Sequence, residues 1–76
     1  MTSVARVQLR AVRAGVWRTA DHRFIISRRC GAWQLRGLTP SAGLVLWRAQ
    51  LESQLFRTRG EAADALALAC HQAEVA

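Results

Sequence analysis

Residues 15 to 38 carry two short turn signals that divide this stretch into three segments of strand length. "GVWRTA" is followed by Asp21-His22, "RFIISRR" is followed by Cys30-Gly31, and "AWQLRGL" completes the stretch. The segments are rich in Val, Trp, Phe, Ile and Thr, which favour strands. Two-residue connections between such segments are typical of antiparallel hairpins. The sequence therefore predicts a three-stranded antiparallel meander.

The register of this meander follows by counting outward from each turn, because directly opposed residues lie on the same face of a sheet. Around Cys30-Gly31, Ile26 lies opposite Leu35, and around Asp21-His22 it also lies opposite Trp17. The predicted inner face, which forms the core, carries Trp17, Thr19, Phe24, Ile26, Trp33 and Leu35, with Arg28 at its edge. The predicted outer face carries Arg18, Arg23, Ile25, Ser27, Arg29, Gln34 and Arg36.

The C-terminal part of the chain predicts a helix that covers the inner face. "TRGE" at residues 58 to 61 fits a capping box, in which the Thr58 hydroxyl accepts from the Glu61 N–H and the Glu61 carboxylate reaches back to the Thr58 N–H. Apolar residues then recur at three- and four-residue spacing, which predicts a helix from about Arg59 to about Glu74. They are Ala62, Ala65, Leu66, Ala69, Cys70 and Ala73.

Two segments admit more than one conformation. For residues 39 to 57 we favour a helix through 44 to 52, with Thr39 and Pro40 as a possible N-cap and first helical residue. The alternative is an irregular loop that ends in a short strand, "SQLF". Residues 1 to 15 form a basic N-terminal arm or strand, and residues 16 to 76 form a single small domain. The predicted fold class is α+β, a three-stranded antiparallel meander packed against a C-terminal helix, with a short additional helix before it.

Positive charge is concentrated in the first two-thirds of the chain. All eleven basic residues are arginines, and the formal net charge is +6. Residues 1 to 48 hold nine arginines against one acidic residue, Asp21, whereas residues 49 to 76 hold two arginines against four acidic residues. An Arg-rich, Ala-rich composition alone does not sort acidic residues to one end. The asymmetry favours an acidic partner for the basic part, and nucleic acid is the commonest such partner.

The outer face is the main candidate site. Arginine side chains bind phosphates and take guanine O6 and N7 together, and glutamine pairs with adenine. We predict a non-enzymatic protein that binds nucleic acid, DNA in preference to RNA, through this face and the N-terminal arm. The predicted contact residues are Arg18, Arg23, Ser27, Arg29, Gln34 and Arg36 on the sheet, with Arg6, Arg10 and Arg13 on the arm.

A second hypothesis is a protein-interaction module. The segment around Trp47 offers more apolar surface than one thin sheet covers, and exposed apolar patches mark interfaces. Such a protein, for example an accessory regulator of a bacterium or phage, would dimerise or dock on a host protein. The residues predicted for this interface are Leu44, Trp47, Leu51 and Leu55.

Other classes of site have little support in the sequence. Cys30 and Cys70 stand alone, without a CxxC pair or a secretory leader, which favours reduced thiols and a cytoplasmic location. Neither cysteine has metal-ligand spacing to His22 or His71. We expect no metal, no cofactor and no enzymatic activity, because no nucleophile motif, carboxylate pair or phosphate-binding glycine loop is present. The longest uncharged apolar run is too short to cross a bilayer.

The order of a strand meander followed by one helix, residues 16 to 38 and 58 to 74, resembles AP2-like domains and the arm-binding domains of tyrosine recombinases. This resemblance implies that the open face of the sheet reads DNA. The Leu-rich segment at 44 to 56 departs from that pattern. The phrase "FRTRGEAADAL" is similar to a strand-to-helix junction in short actinobacterial and phage proteins, a likeness that implies no function.

Overall fold

A five-stranded antiparallel sheet forms one layer of the protein, and two helices form the other. We analysed a computed structural model, which describes residues 8–75. The strands follow one another in sheet order as in the chain. The elements are β1 (Leu9–Arg13), β2 (Val16–Thr19), β3 (Phe24–Arg29), β4 (Ala32–Gly37), α1 (Pro40–Arg48), β5 (Leu55–Phe56) and α2 (Arg59–Val75). The predicted α+β class and its long C-terminal helix are confirmed.

The three predicted strands form the centre of the sheet in the predicted register. Ile26 lies opposite both Trp17 and Leu35. At the β3–β4 turn, Cys30 and Gly31 have φ angles of 53° and 80°. Positive φ at both central residues is the requirement of a type I′ hairpin turn, whose twist matches the flanking strands. The turn therefore fixes which side chains of β3 and β4 share a face.

The connection between β2 and β3 is longer than the predicted two residues, although the register is unchanged. Residues 20 to 23 lie outside the strands, and the His22 N–H donates to the Thr19 carbonyl at 2.9 Å. The buried Thr19 hydroxyl donates to Asp21 Oδ1 at 2.6 Å and accepts from the Phe24 N–H at 3.1 Å. These side-chain bonds hold the two strands in register where the backbone ladder stops.

The sheet has five strands rather than the predicted three. β1 pairs with β2, so residues 9 to 13 are a strand of the sheet. β5 pairs with β4 through only two residues, with Leu55 opposite Gln34. The sequence does not distinguish these strands because β1 fits either period and β5 is too short to show one.

Helix α1 begins and ends earlier than the predicted 44 to 52. Thr39 is the N-cap, and its hydroxyl accepts from the Ala42 N–H at 3.1 Å. At the other end Gln50 has a φ of 59°, its N–H donates to Trp47, and the Leu51 N–H donates to Leu46 at 2.9 Å. This pair of bonds is a Schellman motif, usually built on glycine. With Gln in the left-handed position, the stop has no obvious sequence signal.

Helix α2 matches its prediction, with one difference at the cap. The Glu61 N–H donates to the Thr58 hydroxyl at 3.1 Å, as predicted. The Glu61 carboxylate, however, accepts from the Arg57 N–H at 3.2 Å instead of from Thr58. The carboxylate thus ties the end of β5 to the first turn of α2.

The core lies between the inner face of the sheet and the two helices. Its largest fully buried side chains are Phe24, Ile26, Leu35, Leu46 and Leu66. Trp17 and Trp33 are half-buried and pack against this core, on the face predicted for them. The Arg59 guanidinium lies over the Trp17 ring, 3.9 Å from its centroid. Within residues 8–75, no helix is both long and apolar enough to cross a membrane.

Candidate nucleic-acid interface

A row of side chains on four neighbouring strands contains three arginines. Arg10 lies opposite Arg18, Arg18 opposite Ile25, and Ile25 opposite Arg36. Because directly opposed residues share a face, this row runs across the outer face, the side of the sheet away from α1 and α2. Strands lie about 4.8 Å apart, so the backbones of Arg18 and Arg36 are separated by about 10 Å. The predicted residues Arg18 and Arg36 thus lie in one row with Arg10, and Ile25 lies between Arg18 and Arg36.

A second row lies next to the first and is mixed in character. Its members are Val16, Ser27, Gln34 and Leu55, in cross-strand order. The register of β1 shifts between Ala11 and Arg13, so that Arg13 lies opposite Val16. Regular alternation would place Arg13 and Arg10 on opposite faces. The irregularity instead brings both arginines to the outer face, a use for which β-bulges are known.

Most arginines of the outer face are exposed to solvent, and the strands contain no acidic residue. Arg10, Arg13, Arg29 and Arg36 are exposed, and Arg18 is half-buried. No residue of β1 to β5 is acidic. Asp21 lies in the β2–β3 connection, Glu52 lies in the α1–β5 connection, and Glu61, Asp64 and Glu74 belong to α2. The positive charge of the outer face is therefore not offset within the strands themselves.

Arg23 does not join the other predicted arginines. Its guanidinium lies 5.3 Å from the centroid of the Phe24 ring, and Phe24 is a buried residue of the inner face. Burial raises the pKa of the Cys70 thiol in α2, and the nearby charge of Arg23 acts in the opposite direction. The contact with the Phe24 ring puts the Arg23 guanidinium on the helix side of the sheet. Arg23 precedes β3 in the longer β2–β3 connection, although its carbonyl still accepts from the Leu38 N–H at 2.7 Å.

The predicted interface residues are divided among three places. Leu44 and Trp47 are exposed on α1, with 61% of Trp47 accessible to solvent. Leu51 is buried because it follows the left-handed residue of the Schellman motif and packs into the core beside Leu46. Leu55 is exposed on the outer face, beside Gln34. Arg6, predicted for the basic arm, lies outside the described residues.

A cleft of about 430 Å³ opens where the outer face meets α1 and the α1–β5 connection. β5 pairs with β4 only as far as Gln34, which leaves the rest of β4 facing α1 across this cleft. The sheet side of the cleft is lined by Ser27, Arg29, Gln34 and Arg36. The opposite side is lined by Gly43 of α1 and by Glu52 of the α1–β5 connection. Sequence reasoning missed Glu52, because its position depends on where α1 ends.

A second, apolar groove of about 230 Å³ lies between the helices. Leu44, Val45 and Ala49 of the α1 side and Ala69 of α2 are among its lining residues. In the described part of the chain, no three His, Cys, Asp or Glu side chains form a group that could hold a metal ion. The chemistry that these surfaces offer is therefore charge, hydrogen bonding and apolar contact.

No protein-family model matches this chain, and neither the curated proteins nor the solved structures contain a match to it.

Proposed function

We propose that this protein is a non-enzymatic nucleic-acid-binding protein that contacts DNA through the outer face of its sheet. The observation that carries the proposal is the cross-strand row of Arg10, Arg18 and Arg36 on a face that no strand carboxylate neutralises. Arginine clusters of this kind bind phosphates and steer a polyanion toward the protein. The same face offers Ser27 and Gln34 as hydrogen-bonding groups between the cations.

The width of the sheet limits how it meets a duplex. Five strands at a spacing of about 4.8 Å measure about 19 Å across, whereas the major groove is about 12 Å wide. The three central strands span about 10 Å and fit the groove. Arg10 and Arg13 of β1 then lie over the phosphates at one side, and Gln34 and Arg36 of β4 reach toward the bases. Phosphate contacts from β1 position the protein, and contacts from β4 carry any sequence preference.

The position of the tryptophans favours duplex DNA over RNA. The major groove of an RNA duplex is too deep and narrow for side chains to read, and sequence-specific RNA binding relies on stacking of unpaired bases on aromatic rings. Trp17 and Trp33 pack against the core on the inner face, so they are not available for stacking on the outer face. The resemblance to AP2-like and arm-binding domains implies the same use of the sheet, and a cytoplasmic location fits this role.

The proposal is tested by titrating a labelled duplex with the protein at several salt concentrations. Each phosphate neutralised adds about −0.9 to the slope of log K against log salt. Replacing Arg10 and Arg13, the arginines over the phosphates, together by Gln should therefore make the slope shallower by about 1.8. The matched control is the Arg28→Gln, Arg48→Gln pair, which removes the same charge from the inner-face edge and from α1. That control should change the slope much less.

Absence of binding to duplex at low salt would overturn the proposal. An equal effect of the two double variants would show that net charge, and not the outer face, governs binding. Both variants replace side chains that are exposed or half-buried, so a thermal melt is sufficient to show that the fold is retained.

A second candidate function is a protein-interaction module that forms a homodimer or docks on a host protein. It is favoured by the exposure of Trp47 and of Leu44, which stand one helical turn apart on α1. Light scattering of the wild-type protein and of Trp47→Ala tests this function. A dimer that dissociates in the variant would support it, whereas a monomer in both cases, with no partner recovered by the wild-type protein, would exclude it.

A further inference from the structure

The cleft at the edge of the outer face holds both signs of charge. Arg29 and Arg36 stand on its sheet side, and Glu52 stands on the side of the α1–β5 connection. Arg36 and Glu52 are both exposed. Glu52 is thus a carboxylate that borders the arginines of the outer face. A surface that only binds phosphates gains nothing from a carboxylate there, because like charges repel.

A carboxylate beside arginines suits a ligand that presents hydrogen-bond acceptors and a donor together. In the major groove a G·C pair offers guanine O6 and N7 as neighbouring acceptors and the cytosine N4 amino group as a donor. Arginine binds the two acceptors through paired N–H groups, and glutamate accepts from cytosine N4. An A·T pair lacks the two adjacent acceptors, because adenine has an amino group where guanine has O6, and thymine has the acceptor O4 where cytosine has the N4 donor.

The residues that line the cleft are better suited to contact the edge of a base pair than to bind an unpaired base. Unpaired bases are held mainly by stacking on aromatic rings. Among the described residues that line this cleft, none is aromatic. A Cβ atom at Gly43 would meet nothing within 4 Å, so the helix side of the mouth presents no side chain at that point. At that point α1 does not obstruct the approach of a base-pair edge to Arg36 and Glu52.

We propose that Arg36 and Glu52 together read one G·C base pair in the major groove, with Arg36 on guanine O6 and N7 and Glu52 on the cytosine N4 amino group. This inference rests on the proposed function, since it requires the outer face to lie on duplex DNA. It adds a sequence preference that phosphate contacts cannot provide. It also gives Glu52 a second role, because its charge disfavours placements of the duplex that put a phosphate at the cleft.

The experiment compares short labelled duplexes of the same length at one salt concentration. One is built of G·C pairs, one has inosine in place of guanine, one has 7-deazaguanine, one has N4-methylcytosine, and one is built of A·T pairs. Inosine keeps the major-groove edge of guanine, so the first two duplexes should bind alike. Loss of N7 in the 7-deazaguanine duplex, or replacement of the O6 acceptor by the adenine amino group in the A·T duplex, should weaken binding by about 5- to 150-fold, the range expected for one bidentate base contact.

The variant Glu52→Ala tests the carboxylate directly. It should bind the cytosine and N4-methylcytosine duplexes with similar affinity, whereas the wild-type protein prefers cytosine. Glu74→Ala is the matched control, because it removes the same charge from an exposed position on α2 and should keep the wild-type preference. Arg36→Ala removes the donors to O6 and N7, so it should bind the guanine and 7-deazaguanine duplexes alike, although both more weakly than the wild-type protein does.

The failure of this inference is distinct from the failure of the proposed function. Equal, salt-dependent binding of all five duplexes by the wild-type protein would overturn the inference and leave nucleic-acid binding in place. Retention of the cytosine preference by Glu52→Ala would overturn the assignment of Glu52. If none of the duplexes binds at low salt, the proposed function and this inference fail together.

Discussion

Gly37 of β4 and Gly43 of α1 lie so close that a Cβ atom on Gly37 would stand 2.5 Å from the Gly43 backbone nitrogen. A side chain at position 37 would force α1 away from the sheet. This contact places α1 over the inner face of the sheet at the end of β4. The position of the cleft, and of Glu52 beside it, depends on this contact.

We therefore expect opposite effects from the same substitution at these two glycines. Gly37→Ala should destabilise the protein by about 1–3 kcal/mol, because the collision is with backbone atoms that cannot rotate away. Gly43→Ala meets open space and should stabilise the protein by about 0.5–1 kcal/mol, since alanine favours a helix interior over glycine. Denaturant unfolding followed by circular dichroism measures both. Similar free energies of unfolding for the two variants would contradict the close packing of α1 on β4.

Thr19 should be important to the stability of the β2–β3 connection. Its hydroxyl accepts from the buried Phe24 N–H at 3.1 Å, and Thr19→Val leaves that donor without a partner. We expect a loss of about 1–3 kcal/mol, the cost of an unsatisfied buried donor. Thr19→Ser keeps the hydroxyl and should lose much less. If the valine and serine variants unfold at the same denaturant concentration, the hydroxyl does not contribute.

The hydrogen bond between Thr19 and Asp21 should also affect how the free energy of unfolding changes at acidic pH. The pKa of Asp21 is lowered below its usual value of 3.8, mainly by the hydrogen bond from the Thr19 hydroxyl. A smaller lowering comes from the bond that the Arg23 N–H donates to the same carboxylate. A carboxyl group whose pKa is lower in the folded than in the unfolded protein stabilises the fold at pH values above its unfolded pKa. This stabilisation is lost as the pH falls through the folded pKa. Unfolding measured from neutral pH to about pH 3 should show a smaller acid-induced decline for Thr19→Val than for the wild-type protein.

Gln50 should be a site at which glycine stabilises the protein. Its φ of 59° is left-handed, a conformation that costs a residue with a side chain about 1–2 kcal/mol. Replacement by glycine removes this cost, but glycine also has greater conformational freedom in the unfolded chain. Gln50→Gly should therefore raise the free energy of unfolding by about 0.5–1 kcal/mol. Gln54→Gly is the control, because Gln54 is exposed and lacks a positive φ. Stabilisation of both variants, or of neither, would contradict the Schellman termination of α1.

Leu46 and Trp47 are neighbours on α1 with opposite environments, and their alanine variants should differ accordingly. Leu46 is 1% exposed, whereas Trp47 is 61% exposed. Leu46→Ala should cost about 2–5 kcal/mol through the cavity that it leaves. Trp47→Ala should change the free energy of unfolding by less than about 0.5 kcal/mol, as expected of a surface position. A large loss for Trp47→Ala that grows with protein concentration would reveal a subunit interface on this surface.

The sequence alone determined the centre of this protein. The hairpin at Cys30-Gly31 and the alternation in β3 and β4 are local properties, so counting from the turn placed Ile26, Leu35, Gln34 and Arg36 on their correct faces. The capping residue Thr58 and the spacing of the alanines likewise defined α2. These features depend on residues only a few positions apart, and such interactions are encoded directly in the chain.

The tertiary structure decided what lies around that centre. β5 is a strand only because it pairs with β4. Leu51 is buried because α1 ends at Gln50, which has a left-handed conformation. Arg23 lies on the helix side of the sheet, in a β2–β3 connection that is longer than predicted. The irregularity in β1 brings Arg13 to the same face as Arg10. Glu52 borders the arginines through the packing of Gly37 on Gly43. Each depends on a contact between segments distant in sequence, which neither local propensity nor periodicity encodes.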